Sequence, residues 1–250
     1  MKIVESINFC NINFHNVGFE RIIKHNKQKK LLICAPAAPA LVSIKYDNEY
    51  KNALIHADYN IFDSGLFTLL LRICRINVTK YSGLVFFKDI VKYFKKNKVD
   101  NYILINPSKD EDCANYLFMK KHACSSKFKS YIAPFYKKNN VKDYDLLNFI
   151  SSIKPNFIII NLGGGTQEKL GAWLKKKLNF KVTIICTGAA ISFHTGKQAS
   201  IPMFIDKLYL GWLIRCLYKP SIYIPRYLRA FVFIKIFFTN KNNIKIQYIP

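Results

Sequence analysis

Apolar residues along this chain fall into two rhythms. The first is a set of short continuous runs closed by Gly, Pro, Asn or Asp, the form a strand takes when both its faces are buried. LLICA (31–35), YNIF (59–62), YILI (102–105), FIIINL (157–162) and VTIIC (182–186) are of this kind. A further short strand is predicted over 130–133. Residues 1–20 read as short strands, with INFCNINF alternating at period two before a turn at 16–18. The second rhythm is the three-to-four spacing of an amphipathic helix. It predicts helices over 43–57, 66–73, 85–96, 110–122, 143–153 and 166–178, with a short basic helix or loop over 20–30. Strand and helix patterns alternate, which predicts an α/β protein with a mainly parallel, Rossmann-like sheet flanked by helices.

The stretch 157–178, FIIINLGGGTQEKLGAWLKKKL, organises the rest. A buried strand runs into Gly163, Gly164 and Gly165, and a helix follows. Thr166 is a candidate N-cap, because its hydroxyl can accept from an orphan backbone N–H. Glu168 suits the positive end of the helix dipole. Leu170, Trp173, Leu174 and Leu178 share the face turned to the sheet. Such a turn either lines a ligand crevice at the carboxyl ends of the strands or is only a tight connection. A second strand-to-small-residue turn, Thr187-Gly188-Ala189-Ala190, is expected beside the first. Pro36 and Pro39 break the chain after the first strand, in PAAPAL (36–41).

In ADYNIFDSG (57–65), Asp58 and Asp63 bracket a short strand. Asp63 sits at the carboxyl end of that strand, before a glycine turn, where α/β enzymes place catalytic carboxylates. The alternative is that Asp63 caps the next helix. Tyr81-Ser82-Gly83 forms another turn.

From residue 201 the character changes, and the chain divides into a core of 1–200 and a basic, apolar C-terminal appendage of 201–250. LYLGWLIRCL (208–217) is an apolar helix carrying Arg215. Pro220, Pro225, Arg226 and Arg229 follow, then an apolar run over 230–238 interrupted by Lys235. Aromatic and aliphatic residues mixed with arginines suit an anionic membrane surface. A core helix with a basic edge strand is the other reading.

Half the residues are hydrophobic and 22% are charged, so the chain is globular and not disordered. The net charge of +24 points to an anionic partner: nucleic acid, an acidic membrane or a phosphorylated substrate. Richness in Lys, Asn, Ile, Tyr and Phe together makes part of that charge a compositional bias on solvated surface. The seven cysteines, Cys10, Cys34, Cys74, Cys113, Cys124, Cys186 and Cys216, form no C-x-x-C pair and read as small core residues in a reducing compartment. Residues 1–14 show no signal-peptide core, and no run reaches the ~18 apolar residues of a membrane span. The histidines lack metal-ligand spacing, so no metal is expected. The glycine turn is neither G-x-x-x-x-G-K-[ST] nor G-x-G-x-x-G, and no G-x-S-x-G elbow occurs, which sets aside a P-loop NTPase, an ordinary NAD site and an elbow-type serine hydrolase.

ADYNIFDSG (57–65), Ser82-Gly83, NLGGGTQEKLGAWL (161–174), TGAAISFHTG (187–196) and LYLGWLIRCLYKPSIYIPRYLRA (208–230) stand in the order found in the WecG/TagA/CpsF glycosyltransferase family, and the chain resembles that family over roughly residues 30–230. The resemblance implies transfer of a sugar from a UDP-sugar to a lipid-diphosphate-linked acceptor in surface polysaccharide biosynthesis, with the UDP-sugar as donor substrate and no cofactor. It implies a cytoplasmic protein held peripherally at the inner face of the cell membrane, and it admits a homo-oligomer. Asp63 falls on the family's general base. Gly163, Gly164, Gly165, Gln167 and Glu168 fall on its Gly-x-x-x-Gln-Glu element, which should meet the nucleotide sugar together with Ser82, Thr187 and Gly188. Arg215, Arg226 and Arg229 fall on basic positions that would neutralise a diphosphate. This chain departs from the family pattern at PAAPA (36–40), at Ser64, at Ser200-Ile201-Pro202 and at Gly211, which stands for a usual Glu before Trp212.

Two other readings compete. A basic nucleic-acid-binding protein would explain the charge, but the charge is spread along the chain and no nucleic-acid-binding signature accompanies it. An NAD-dependent nucleotide-sugar enzyme lacks the glycine fingerprint.

Overall fold

The computed structural model describes residues 4–26, 29–123, 127–137 and 140–249. The chain opens with a hairpin, β1 (Val4–Phe9) and β2 (Ile12–His15), followed by α1 (Phe19–His25) and β3 (Leu31–Cys34). Next come α2 (Ala38–Leu41), α3 (Asn48–Ile55), β4 (Tyr59–Ile61), α4 (Gly65–Ile73) and α5 (Gly83–Lys96). The middle holds β5 (Tyr102–Asn106), α6 (Lys109–His122), β6 (Lys129–Ile132), α7 (Tyr144–Ile153), β7 (Phe157–Ile160), α8 (Thr166–Lys177) and β8 (Thr183–Cys186). The C-terminal part contains α9 (Met203–Lys207), α10 (Gly211–Tyr218), α11 (Pro220–Ala230), α12 (Val232–Asn240) and β9 (Lys245–Tyr248).

Among the described residues the strands form one sheet in the order β6-β5-β7-β8-β3-β4-β2-β1-β9. Pairing is parallel from β6 to β2 and antiparallel at β1 with β2 and with β9. The continuous apolar runs have the consequence expected of buried strands. Leu32, Cys34, Ile103, Ile105, Ile158, Ile160 and Ile184 enter one core cluster, and the alternate residues Leu31, Ile33, Leu104, Ile159 and Ile185 enter the other. Successive side chains of a strand point to opposite faces, so a run with no polar break requires helices on both. Helices α3, α4, α7, α8 and α12 cover the first face, and α1, α5 and α6 the second.

Several helix boundaries follow capping chemistry. Asp47, Ser64, Ser82, Ser108 and Asp143 each accept a bond from a backbone N–H in the first turn of the helix they precede. Helix α6 carries Asp110, Glu111 and Asp112 in its first turn and Lys120, Lys121 and His122 in its last, as the dipole favours.

Local expectations are corrected at five places. The single helix expected over 43–57 is split into a 3-10 turn, Val42–Lys45, and α3, because Asp47 starts a new helix by capping Tyr50. The alternating run INFCNINF is broken by a hairpin turn at Cys10-Asn11, whose φ values of 54° and 67° give the strands their reversal, while 16–18 links β2 to α1 as expected. The helix expected over 208–217 starts only at Gly211, after Tyr209 takes a φ of 64°. The run 230–238 is helical in α12 and not an edge strand, because Phe233 and Phe237 insert against Phe9 and Phe67 in the core. The edge strand is β9, which pairs with β1. Finally, Cys34 and Cys186 are fully buried, but Cys113 is exposed on α6, and Cys124 lies outside the described residues.

Connections leave β5 toward β6 and leave β7 toward β8 on its other side. The carboxyl ends of β5 and β7 thus flank a topological switch point, where an open α/β sheet leaves a crevice. The segment after α8 and β8 returns over that crevice as α9, α10 and α11.

Candidate functional site

A cavity of about 480 Å³ opens at the carboxyl ends of the parallel strands. Its walls come from Ala35 after β3, Asp63 after β4, Pro107 after β5, Asn161 after β7 and Thr187 after β8. Its outer side is closed by Tyr209, Trp212, Arg215, Arg226, Tyr227 and Phe231 from the C-terminal helices. Of the residues singled out in the sequence, Asp63, Ser82, Gly163, Gly164, Gln167, Glu168, Thr187, Gly188, Arg215 and Arg226 line it. Gly165 and Arg229 do not, and Arg229 is exposed on α11.

Asp63 does not cap α4. That cap is Ser64, whose Oγ accepts from Phe67 N at 3.1 Å. The Asp63 carboxylate turns instead to α5 and accepts from the Gly83 backbone N–H at 2.6 Å. Withdrawal from water pushes the carboxyl above the usual carboxylate range, and nearby Asp206 adds to this. The Gly83 amide, Arg215 and Lys80 act in the opposite direction. Asp58, at the other end of β4, accepts from Leu32 N at 2.7 Å and belongs to the sheet.

The two small-residue turns lie side by side, because β7 and β8 are paired in parallel register. Gly164 fits where it does because a Cβ there would stand 3.0 Å from that of Ala40, so the turn rests on the short helix made by the PAAPAL stretch. The N-cap of α8 is Gly165, with a φ of 94°, and Thr166 is already the first helical residue. Glu168 fills the capping role from inside: its Oε2 accepts from Gly165 N at 2.7 Å, and the residue is fully buried. Burial pushes its carboxyl up as well, against the hydrogen bonds that favour the charge. Gln167, 2% exposed, joins the two turns. Its Oε1 accepts from Gly188 N at 2.7 Å and its Nε2 donates to Glu168 Oε1 at 3.1 Å. The polar atoms of both residues are therefore engaged within the protein, and the Glu168 carboxylate itself occupies the N-terminus of α8.

Positive charge reaches the cavity from the other side. The Arg215 guanidinium lies 4.5 Å over the Phe193 ring, and its Nη1 donates to Tyr227 Oη at 3.2 Å. Among the described residues neither Arg215 nor Arg226 is paired with a carboxylate, and both keep donors available for an anionic group.

Sequence reasoning missed four residues. Asn106 ends one buried strand and Asn161 follows another, just as Asp63 follows β4, and that position was the available signal. Asn106 Oδ1 accepts from Asn115 Nδ2 and Asn161 Nδ2, both at 2.8 Å, while Asn161 Oδ1 accepts from Thr187 Oγ1 at 3.0 Å. This network fixes the floor of the cavity. Lys80 and Asp206 carried no local signal. Lys80 Nζ donates to Asp206 Oδ1 at 2.7 Å, and Ser82 Oγ donates to Asp206 Oδ2 at 2.7 Å.

Among the described residues no group of three or more His, Cys, Asp or Glu is gathered as a metal centre would require. No described helix is long and apolar enough to cross a membrane. In comparisons with known proteins, the family described as Glycosyl transferase WecG/TagA/CpsF family matches residues 6–246, nearly the whole chain. No curated protein matches it.

Proposed function

The chain belongs to the WecG/TagA/CpsF family of glycosyltransferases, and we propose that it moves a sugar from a UDP-sugar to a lipid-diphosphate-linked acceptor in surface polysaccharide synthesis, with Asp63 as the general base. The observation that carries this reading is the placement of Asp63. Among the described residues it is the candidate whose carboxylate stands at a strand end inside the cavity, held by the Gly83 amide, with Arg215 favouring its charge and Arg226 in the same lining. In the reaction the Asp63 carboxylate takes the proton of the acceptor hydroxyl as its oxygen forms a bond to the anomeric carbon. The bond from that carbon to the diphosphate breaks, and its electron pair leaves on UDP. A carboxylate raised toward working pH is a stronger base in this step. Arg215 and Arg226 take up the charge of a diphosphate, as cations fixed in a partly closed site do.

The surface of the C-terminal helices supports a place at the membrane. Leu213, Leu217, Ile222, Ile224 and Leu228 are exposed beside Lys219, Arg226 and Arg229. Apolar side chains bordered by cations fit the headgroup layer of an anionic membrane, where a lipid-linked acceptor resides.

The test is turnover of a panel of UDP-, GDP- and CMP-sugars with a lipid-diphosphate acceptor, using wild type and Asp63→Asn. Asparagine preserves the oxygen that accepts from Gly83, so fold and donor binding are expected to survive. The turnover number is expected to fall about 10²- to 10⁴-fold, the usual contribution of a general base. Full activity in Asp63→Asn removes Asp63 from the role. Failure of the wild type to bind any nucleotide sugar removes the reaction.

A further inference from the structure

One cluster in the cavity wall has no part in the chemistry just described: Lys80, Ser82 and Asp206. Both oxygens of the Asp206 carboxylate are engaged by one turn, Oδ1 by Lys80 Nζ and Oδ2 by Ser82 Oγ, each at 2.7 Å. Lys80 Nζ also donates to the Asp206 backbone oxygen at 2.6 Å. The side chains of Lys80 and Asp206 are only 11% and 13% exposed. The Tyr209 ring, 5.1 Å from Lys80 Nζ, covers the ammonium further. A pair so far removed from water differs from a surface ion pair, because deleting either partner leaves a charge uncompensated.

The turn fastened in this way is the one that holds Asp63. Ser82 is the N-cap of α5, and Gly83, the next residue, donates its N–H to Asp63 Oδ1 at 2.6 Å. Asp206 lies in α9, immediately before the helix that carries Arg215. Relying on the reading of Asp63 as base, we propose that Asp206 is a positioning residue: by gripping Lys80 and Ser82 it seats the arginine-bearing C-terminal segment and, through the same turn, orients the Asp63 carboxylate. Base and cations are then assembled by one contact, so Asp63 is correctly aimed only while Arg215 is in place.

The electrostatics give a signature that a merely structural clasp would not. The groups facing Asp63 are the Gly83 amide on α5, Lys80 on the preceding turn, Asp206 on α9 and Arg215 on α10. Asp206 favours the protonated base, whereas Lys80 and Arg215 favour the ionised one. Asp206→Asn removes the negative charge and leaves Lys80 unneutralised, so the acidic limb of the pH–rate profile moves to lower pH. Lys80→Met does the reverse and moves it to higher pH. A clasp without electrostatic coupling shifts neither limb.

The experiment combines pH–rate profiles of Asp206→Asn and Lys80→Met with kinetics and amide hydrogen exchange of Asp206→Ala. Limb shifts of opposite sign, of up to about one pH unit, are expected. Asp206→Ala is expected to lower kcat about 10- to 100-fold, since a small misplacement of a reacting group is costly. Its KM for the donor should rise by a smaller factor than kcat falls, and the Gly83 amide should exchange faster. Wild-type kcat and an unshifted limb in the Asp206 variants, or unchanged Gly83 exchange, overturn the proposal. Should the wild type transfer no sugar, the functional reading fails by itself, and Gly83 exchange together with an NMR titration of the Asp63 carboxyl still decides the fastening.

Discussion

Gln167 offers the sharpest test of how the two turns are held. In Gln167→Met the side chain keeps its length and loses both polar ends. The Gly188 N–H then lacks its acceptor at 2.7 Å, and Glu168 Oε1 lacks its donor at 3.1 Å. A neutral hydrogen bond contributes about 1 kcal/mol and one to a charged group about 1.5–3 kcal/mol. The added apolar burial of methionine returns about 1 kcal/mol. The net expected loss is about 1.5–3 kcal/mol, because Glu168 keeps its bond from Gly165 N. For a chain of this size that is a fall in Tm of roughly 3–12 °C. The loss should depend on pH. Burial raises the folded-state value of Glu168 above that of the unfolded chain, so its contribution is fully present below the unfolded value and is lost as pH rises through the folded one. Removing a donor to the charged form raises the folded value further, so the variant should be penalised most near neutral pH and least at about pH 4. Denaturant unfolding at both ends of that range, with calorimetric titration of UDP-sugar, makes the measurement. Stability unchanged within about 0.5 kcal/mol together with lost donor binding would refute this reasoning, since Gln167 would then face the ligand and not the second turn.

Two further outcomes are expected. Gly171 of α8 packs so tightly on the sheet that a Cβ would stand 2.8 Å from Leu32 Cδ1 and 3.0 Å from Cys186 Sγ. Overpacking of about 1–3 kcal/mol outweighs the helix-propensity gain of about 1 kcal/mol, so Gly171→Ala should lower the denaturant midpoint with no change of slope. Arg229 is exposed outside the cavity lining. Arg229→Glu reverses a charge worth about 1 kcal/mol per unit near an anionic bilayer, so co-sedimentation with anionic vesicles should weaken roughly 30-fold while binding to neutral vesicles stays as in the wild type. An equal loss on both vesicle types would assign the contact to apolar insertion instead.

The amino-acid sequence by itself determined the alternation of strands and helices, the burial of both sheet faces and the strand end that bears Asp63. These are local properties: an apolar run such as FIIINL has no polar side to turn to water, and a glycine turn after it has few other conformations to take. The same locality explains the errors. Ser64 and Gly165, not Asp63 and Thr166, cap their helices, because adjacent residues of similar chemistry compete and packing chooses between them. The run 230–238 is rich in residues that favour strands, yet the space above Phe9 and Phe67 accepts a helix. Only the tertiary structure decided which turns meet. Asp206 reaches Ser82 across 124 positions of chain, and Gln167 reaches Gly188 because β7 and β8 lie side by side. No periodicity or cap at either end records such contacts. They depend on strand order, which is fixed by how all the apolar faces are buried together and not by any one segment.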